Sequence, residues 1–314
     1  MAKTNLSDPI YHNEEAARAH FEAIRWPDGR VCPHCGVVGN SVLLQGESTR
    51  PGLYKCREKT CRKPFSAIMG TVYEKSHVPL HKWLLATHFM CASKKGVSAK
   101  QLERMMGFGS YRTAWFVAHR IREAMKSNDD TLMGTGGGVV EADEAFYGRV
   151  PGKSRFPGHN MNKIVALVDR ATGRATTVVF TGASFSHRNI GPILDQHMSR
   201  EGRLMTDQAH HYKTLGPRYA SHDTVNHARG EYVNKDDATL HTNTIEGFFS
   251  IFKRGMIGTY QHCGSQHLHR YTAEFDFRYT HRIATGIDDV ARAAIAVAGT
   301  VGRRLTYKKS HVAA

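Results

Sequence analysis

The sequence has no apolar run of membrane-spanning length and no secretion signal. None of its hydrophobic stretches approaches the roughly 20 residues that a transmembrane helix needs, and the residues after Met1 do not follow the signal-peptide pattern. Acidic residues are also few, 28 against 43 basic ones, which leaves a formal net charge of +15 over 314 residues. These absences predict a cytoplasmic protein without a membrane anchor, and its positive field favours a polyanion such as nucleic acid. Ribosomal and membrane-surface proteins are basic too, so charge alone identifies no activity.

Cysteines are too few and too unevenly spaced for a secreted disulfide framework. Four of the six form two close pairs that are separated by twenty residues: Cys32 with Cys35, and Cys56 with Cys61. Two such pairs supply the tetrahedral thiolate set of structural Zn²⁺ sites, and a module this small needs the metal to fold. The second pair has a four-residue gap instead of two, which weakens the match slightly. The spacing therefore predicts a zinc ribbon over residues 31–75, with strands at 41–44 and 52–55, after a helical segment over 1–30.

Residues 76–127 have the pattern of a helix-turn-helix-like DNA-binding segment. A helix begins after Pro79, Ser98 caps a short second helix, and Ser110 caps a longer third one beyond a glycine turn. In a helix-turn-helix the last helix contacts DNA. Its candidate contacts are Arg112, His119, Arg120 and Arg122. Many helical hairpins share this outline, so packing without DNA recognition remains an alternative.

Glycines at positions 134 and 136–138 mark the clearest boundary in the chain. Glycine runs behave as flexible connectors, so residues 128–138 are predicted to be a linker ahead of a catalytic domain over 139–285. Residues 286–314 are predicted to be a basic tail, because no acid follows Asp289. Such a tail either follows the DNA backbone or is a solvated terminus.

The second half predicts an α/β domain with a mixed sheet. Strands are expected at 139–148, 164–169, 175–180, 203–207 and 224–227, with helical segments at 190–198, at 210–213 and from Thr244 onward. This order of three strands, helix, strand, short helix, strand and helix is that of a ribonuclease-H-like domain. The first and fourth strands are neighbours in that fold, so Asp143 and Asp207 are expected at adjacent strand ends.

The last of these helices carries a carboxylate and an ammonium group on one side. Its apolar stripe consists of Ile245, Phe248, Phe249 and Phe252. Glu246 and Lys253 are seven residues apart, two helical turns, and therefore project from nearly the same side. The carboxylate could hold a metal ion while the ammonium meets a phosphate oxygen. A solvated helix face is the alternative reading of the same pair.

Three carboxylates at one place repel one another unless cations join them. Two divalent ions would remove this repulsion and form a clamp for phosphoryl transfer, and oxygen ligands favour Mg²⁺ or Mn²⁺. Spacing alone does not choose Asp143 over its neighbours Glu141 and Glu144. Asp207 could instead cap a helix, and Asn243 could replace Glu246 as the third ligand.

Several motifs resemble those of bacterial insertion-sequence transposases of the DDE type that carry an amino-terminal zinc ribbon. They are Trp26-Pro27-Asp28-Gly29 before the first cysteine pair, Val140-Glu141-Ala142-Asp143-Glu144, Thr206-Asp207 and Asn243-Thr244-Ile245-Glu246-Gly247 leading to Lys253-Arg254-Gly255. The resemblance covers nearly all of residues 25–282. The third catalytic position of the family is described as Glu or Asn followed by Lys, so Glu246 and Asn243 both remain candidates.

The resemblance implies what such a protein does. It would bind the terminal inverted repeats of its own element, cleave the double-stranded DNA there and join the 3′ ends to target DNA. Asp143, Asp207 and Glu246 would hold Mg²⁺, and Lys253 would contact phosphate near the scissile bond. The groove would be lined by Lys213, Arg229 and Arg254. Because two ends must meet, a homo-oligomer bound to DNA near the nucleoid is expected.

Two other functions fit the same residues. A domesticated zinc-ribbon protein would bind DNA with unused carboxylates, and a nuclease would cut DNA without joining it.

Overall fold

The computed structural model describes residues 5–150, 161–180, 184–225 and 239–305. The chain divides into two compact units. The first contains residues 1–93, 97–126 and 288–314, and the second contains residues 94–96 and 127–287. No helix within the described ranges has both the length and the apolar character needed to cross a membrane.

The first unit begins with a helix and a small antiparallel sheet. Helix α1 (Glu14–Arg25) starts at Asn13, whose side chain accepts two backbone N–H groups of the first turn, as predicted. The sheet consists of β1 (Ser41–Leu43), β2 (Leu53–Cys56) and β3 (Pro64–Ser66) in that order. The first two strands confirm the predicted ribbon strands, while β3 was not predicted.

Three helices of the first unit follow the predicted pattern of helix, turn and helix. They are α2 (Leu80–Ala92), α3 (Ala99–Met106) and α4 (Tyr111–Ala124). Ser98 and Ser110 cap α3 and α4 by accepting backbone N–H groups at 3.1 and 3.2 Å. Gly107 ends α3 with φ at 59°, in the left-handed region that favours glycine. The capping residues therefore fixed these helix starts as expected.

The second unit is built on a five-stranded mixed sheet. Its strands are β4 (Val139–Arg149), β5 (Met161–Asp169), β6 (Ala175–Phe180), β7 (Arg203–Thr206) and β8 (Ser221–Thr224). They lie in the order β6-β5-β4-β7-β8, with β4, β5 and β6 antiparallel and β4, β7 and β8 parallel. This is the predicted ribonuclease-H-like arrangement. Strand β8 begins three residues before the predicted strand at 224–227, whose last two residues lie outside the described ranges.

Four helices cover the two faces of this sheet. They are α5 (His187–His197), α6 (His210–Leu215), α7 (Asn243–Gly255) and α8 (Leu268–Thr280). One core lies between one sheet face and α7 and α8, and it includes Ala145, Ile164 and Phe252. The other core lies between the opposite face and α5 and α6, and it includes Val140 and Leu167. Because side chains alternate along a strand, each residue of β4 belongs to one of these two layers.

The predicted linker contains one packed glycine, Gly134, whereas Gly136 and Gly137 are exposed. Gly134 is buried, and its N–H group donates to Asp169 Oδ2 at 2.9 Å. Its φ is +73°, and a Cβ atom there would lie 2.9 Å from Val140 Cγ2 and 3.1 Å from Gly202 Cα. This glycine therefore permits a close approach between two backbone segments. From the sequence alone, a glycine needed for such packing looks the same as a glycine in a flexible linker.

The predicted basic tail begins as a folded part of the first unit. Helix α9 (Asp289–Ala298) packs against α2, and Arg292 Nη1 donates to the carbonyl oxygen of Cys91 at 3.0 Å. Arg303 donates to the carbonyl oxygens of Glu123 and Lys126 at 2.5 and 2.6 Å. These two guanidinium groups therefore stabilise the fold, and the tail prediction is corrected for residues 289–303. Lys308 and Lys309 lie outside the described ranges.

Candidate active site

Asp143 and Asp207 lie at the same level of two neighbouring parallel strands. The register of β4 and β7 pairs Glu141 with Met205, and each aspartate comes two residues later in its own strand direction. Neighbouring strands are about 4.8 Å apart, so the sheet brings two acids that are 64 positions apart in the sequence to adjacent places. The predicted adjacency of the first and fourth strands is confirmed.

The alternation of β4 separates the three acids that spacing could not rank. Glu141 and Asp143 share the face of Ala145, which packs in the core beneath α7. Glu144 projects to the opposite face, where a hydrogen bond of 2.6 Å joins its Oε1 to His211 Nε2 on α6. Only Glu141 and Asp143 are therefore on the side from which α7 approaches.

Glu141 is already engaged. Its side chain is fully buried, and its Oε1 lies 2.5 Å from Arg170 Nε. Its Oε2 accepts the backbone N–H of Ile245 at 2.8 Å. With both oxygens of Glu141 occupied, Asp143 is the acid of β4 that stands beside Asp207.

Burial and neighbouring acids make the charged form of Asp143 costly. Burial, with the charges of Glu144 and Asp207, raises the pKa of Asp143 to about 7, although the N–H of Glu144 and the charge of Lys253 act in the opposite direction. A carboxylate in this setting favours a cation beside it. Asp207 is partly exposed, and its Oδ1 also accepts the N–H of Ala209 at 2.9 Å. This turn before α6 fixes the Asp207 carboxylate without enclosing it.

Helix α7 presents the third candidate ligand. Its stripe of Ile245, Phe248, Phe249 and Phe252 is buried against the sheet, as predicted. Glu246 is half-buried, and Thr242 Oγ1 donates to its Oε1 at 3.3 Å.

The rival ligand and the predicted lysine are both on the exposed side of α7. Asn243 is the first residue of the helix and is exposed. Lys253 is also exposed, and its Nζ lies 5.8 Å from the centre of the Phe249 ring. Both Glu246 and Asn243 keep their place as candidates for the third ligand.

The three carboxylates do not form a single tight cluster. Within the described ranges, the only group of three or more cysteine, histidine or acidic ligand atoms that lie within 4.8 Å of one another is formed by cysteines. The full convergence of Asp143, Asp207 and Glu246 within 4.8 Å is thus absent from the described residues. In a site for two ions about 3.5–4 Å apart, ligands of different ions need not lie as close to one another as the ligands of a single ion do. The oxygen-only donor set fits Mg²⁺ or Mn²⁺.

The four ribbon cysteines fit one tetrahedral ion. Sγ of Cys32 lies 3.8 Å from Sγ of Cys61, and Sγ of Cys35 lies 3.7 Å from Sγ of Cys56. Tetrahedral Zn–S bonds of about 2.3 Å require sulfur separations of about 3.8 Å. The four-residue gap of the second pair therefore does not disturb the geometry.

The predicted DNA contacts have different positions in the structure. Arg112, Lys213 and Arg254 are exposed, whereas Arg229 lies outside the described residues. Arg120 and Arg122 are 8% and 1% exposed, so this structure packs them inside the first unit and does not present them at its surface.

Both buried arginines lie on the inner face of α4. Arg120 donates to the carbonyl oxygens of Glu74 and Leu305, each at 3.3 Å. The sequence suggested DNA contacts because basic residues on a helix are usually solvated. His119 is fully buried as well.

Arg170 and His211 are site residues that the sequence did not reveal. Arg170 follows β5 in the hairpin, where a basic residue is ordinary, and no motif connects it with Glu141. His211 lies in the first turn of the short helix α6, and its position beside Glu144 depends on how this helix packs on the sheet. The sequence contained one indirect signal: β4 carries three acids within four residues, and acids in a buried strand need partners.

A ribonuclease-H-like sheet with acids on β4, directly after β7 and on α7, preceded by a cysteine ribbon, is the arrangement of DDE transposases that carry a zinc ribbon. Comparison with known proteins agrees: residues 12–64 match the transposase zinc-ribbon domain, and residues 135–280 match the ISXO2-like transposase domain. A Halobacterium salinarum protein described as "Uncharacterized protein in transposable element ISH50" is 28% identical over 260 residues, which cover 77% of this chain and 83% of that protein. The chain therefore has the two matched domains, in the same order, of insertion-sequence transposases that join a zinc ribbon to a DDE domain.

Proposed function

We propose that this transposase binds the terminal inverted repeats of its element and catalyses divalent-metal-dependent cleavage and strand transfer of double-stranded DNA. The observation that supports this most directly is the parallel register of β4 and β7, which brings Asp143 beside Asp207 on the face that α7 covers. Three acids on three rigid elements are suited to in-line phosphoryl transfer, because such chemistry depends on positioning and charge.

Each residue has a separate role in this proposal. Asp143, Asp207 and Glu246 would hold two Mg²⁺ ions, with Asn243 as the alternative third ligand. When bound, the ions supply an activated water or 3′-hydroxyl and stabilise the departing oxygen. Lys253 contacts a phosphate oxygen near the scissile bond, and its charge helps to keep Asp143 ionised, since it lowers the pKa of that carboxyl.

DNA binding is assigned to exposed basic residues of both units. Arg112 on α4, together with the ribbon over residues 31–75, serves the element end. Lys213 on α6, the helix that follows Asp207, and Arg254 on α7, the helix that carries Glu246, contact backbone phosphates. A homo-oligomer holds two ends at once.

The ribbon cysteines are proposed to carry structural Zn²⁺. All four ligand positions are thiolates, which leaves no open position for a substrate, as in structural sites and unlike catalytic ones. The Zn²⁺ then contributes to the folding of the first unit.

The decisive experiment uses purified protein and DNA that carries the inverted repeats flanking the gene. Asp143→Asn and Asp207→Asn remove a metal-binding charge without changing side-chain volume. Each should reduce Mg²⁺-dependent cleavage and joining by at least about 1,000-fold while binding of the element end persists. Asp130→Asn, at an exposed aspartate of the same unit, is the matched control and should retain activity.

Three results would overturn parts of this proposal. Cleavage by both aspartate variants would show that the site lies elsewhere. Nicked DNA without joined target would indicate a nuclease. If the element ends remained uncut even with Mn²⁺, the protein would be a DNA-binding protein without catalytic activity.

A further inference from the structure

The buried Glu141 has no part in the proposed chemistry although it lies two residues before Asp143. Both side chains leave the same face of β4, yet Glu141 is fully buried. A buried carboxylate is costly unless it is paired and hydrogen-bonded. Its partners therefore indicate why an acid is retained there.

One oxygen of Glu141 reaches directly into α7. Its Oε2 accepts the N–H of Ile245 at 2.8 Å, and Ile245 precedes Glu246 in the first turn of the helix. N–H groups of a first turn have no partner within their own helix. The residue in the capping position, Thr242, makes no side-chain capping bond. An acid from β4 therefore satisfies a helix start that its own sequence leaves open.

Arg170 extends this connection to the segment that leads into α7. Its Nε pairs with Glu141 Oε1 at 2.5 Å, and its Nη1 donates to the carbonyl oxygen of Thr239 at 2.6 Å. Its Nη2 donates to the carbonyl oxygen of His241. The planar guanidinium group thus joins one side chain of β4 to two backbone positions just before the helix.

The ring of His241 completes the junction. Its Nδ1 lies 3.1 Å from Arg170 Nη2 and accepts the N–H of Asn243 at 3.3 Å. The first turn of α7 is therefore fixed at two N–H groups, those of Asn243 and Ile245. Asn243 is itself one candidate for the third metal ligand, and Ile245 directly precedes the other candidate, Glu246.

We propose that Glu141 and Arg170 are positioning residues for the third metal ligand of the transposase. They fix the start of α7 against β4, and this sets the separation between Asp143 and the ligand on α7. A shift of one residue along a helix moves a side chain by about 1.5 Å, far more than a metal–oxygen distance tolerates. The inference rests on the proposed function, because it presumes that Asp143 and α7 share a metal site.

A purely structural ion pair is the rival explanation, and the chain provides a matched control for it. Glu274 on α8 is also fully buried in the second unit and pairs with Arg278 four residues later. This pair lies within one helix, Glu274 also accepts the hydroxyl of Tyr260, and the pair includes none of the three residues, Glu141, Arg170 and His241, that join β4 to the start of α7. Glu274→Gln therefore removes a comparable buried charge without disturbing the proposed junction.

The test measures Mn²⁺ binding to the full chain without DNA, by electron paramagnetic resonance of free Mn²⁺, in zinc-loaded protein. Glu141→Gln and Arg170→Lys should each weaken Mn²⁺ binding by about 10- to 100-fold, as loss of supporting contacts does at other metal sites. Glu274→Gln should bind Mn²⁺ like the unaltered protein, even where its melting temperature falls equally. In strand-transfer assays, raised Mn²⁺ should restore activity to the first two variants.

Arg170→Lys keeps the test valid if Glu141→Gln does not fold, because the lysine retains the charge and loses the planar fork. Unchanged Mn²⁺ binding in the folded variants would overturn the proposal, and so would equal weakening by Glu274→Gln. Failure of the proposed function has a different signature: Asp143→Asn would then bind Mn²⁺ as well as the unaltered protein does.

Discussion

Three acids within four residues of β4 have three different environments. Glu141 is paired with Arg170, Glu144 is hydrogen-bonded to His211, and Asp143 stands beside Asp207. The difference arises from the alternation of the strand and from which neighbour each face meets. At this scale, a residue's role follows from its partners more than from its chemical type.

The neighbouring bases Lys253 and Arg254 should separate catalysis from binding. Lys253 influences the charge of Asp143, whereas Arg254 bonds back to the carbonyl oxygen of Ser250 at 3.1 Å and is exposed. We expect Lys253→Gln to slow strand transfer by about 100-fold with little loss of end binding, and Arg254→Gln to weaken binding by a few-fold. Single-turnover assays and fluorescence anisotropy measure the two effects. Equal effects of both variants on binding and rate would contradict the assignment.

Asp276 on α8 should make stability depend on pH. Its Oδ2 accepts the N–H and hydroxyl of Thr177 at 3.0 and 2.7 Å. Burial raises its pKa to about 8, although these hydrogen bonds lower it. Since the folded chain then holds this proton more tightly than the unfolded chain, the contribution of Asp276 is most favourable below about pH 4. It is lost as pH rises toward 8, by up to about 1.4 kcal/mol per pH unit.

Asp276→Asn should remove this dependence, because the amide carries no charge to bury. The measurement is the free energy of unfolding by urea between pH 5 and 8 for both proteins. The difference between them should shift steadily in favour of the variant as pH rises. A difference that is constant with pH would show that Asp276 is ionised throughout.

On helix α7, the residues that pack in the core and the candidate functional residues lie on different sides of the helix. The apolar stripe packs on the sheet, and the side of the helix next to this stripe carries Glu246 and Lys253. Its two glycines also differ. A Cβ at Gly247 would meet nothing within 4 Å, whereas one at Gly255 would lie 2.5 Å from Phe275 Cζ and 2.8 Å from the carbonyl oxygen of Lys95.

Alanine at these two positions should therefore have opposite effects on stability. Gly247→Ala should raise the free energy of unfolding by about 0.5–1 kcal/mol, because alanine has the higher helix propensity. Gly255→Ala should lower it by about 1–3 kcal/mol through overpacking. Chemical denaturation gives both values. Similar changes in the two variants would argue against the close packing of α7 and α8.

The ribbon is the element whose folding should depend most on a metal. Cys35→Ser should remove bound Zn²⁺ and lower the melting temperature of the first unit, since the site then lacks a thiolate ligand. Cys263→Ser, outside the cluster, should keep one Zn²⁺ per chain. Elemental analysis with calorimetry provides the measurement. Full Zn²⁺ content in Cys35→Ser would contradict the four-cysteine site.

The whole molecule carries a formal net charge of +15, which should make its DNA affinity strongly dependent on salt. Each phosphate contact contributes about −0.9 to the slope of log K against log salt concentration. Lys213→Gln should therefore make the slope shallower by about one unit. Arg200→Gln, at an exposed arginine that pairs with Asp195 at 2.8 Å, should leave it unchanged. Anisotropy titrations from 50 to 200 mM salt measure both, and an unaltered slope for Lys213→Gln would remove it from the interface.

Local signals were sufficient for much of the fold. Asn13, Ser98 and Ser110 mark helix starts because their side chains complete the first turn. The cysteine spacing predicted the cluster, and the apolar stripe predicted the buried face of α7. These features depend on residues near one another in sequence, so the sequence alone contains them.

Other features depended on contacts between distant segments. The packing of Gly134, the burial of Arg120 and Arg122, and the folding of α9 all reversed reasonable expectations. In each case, a residue that is usually flexible or solvated lies against a surface made by another part of the chain.

The sequence by itself determined the elements of this protein, their order and the acids that they carry. The tertiary structure decided which acid faces which partner, because register and alternation assign each side chain of β4 to one of two layers. It also decided that Glu141 and Arg170 hold the start of α7, since a hydrogen bond between residues 104 positions apart exists only once the sheet and the helix have come together.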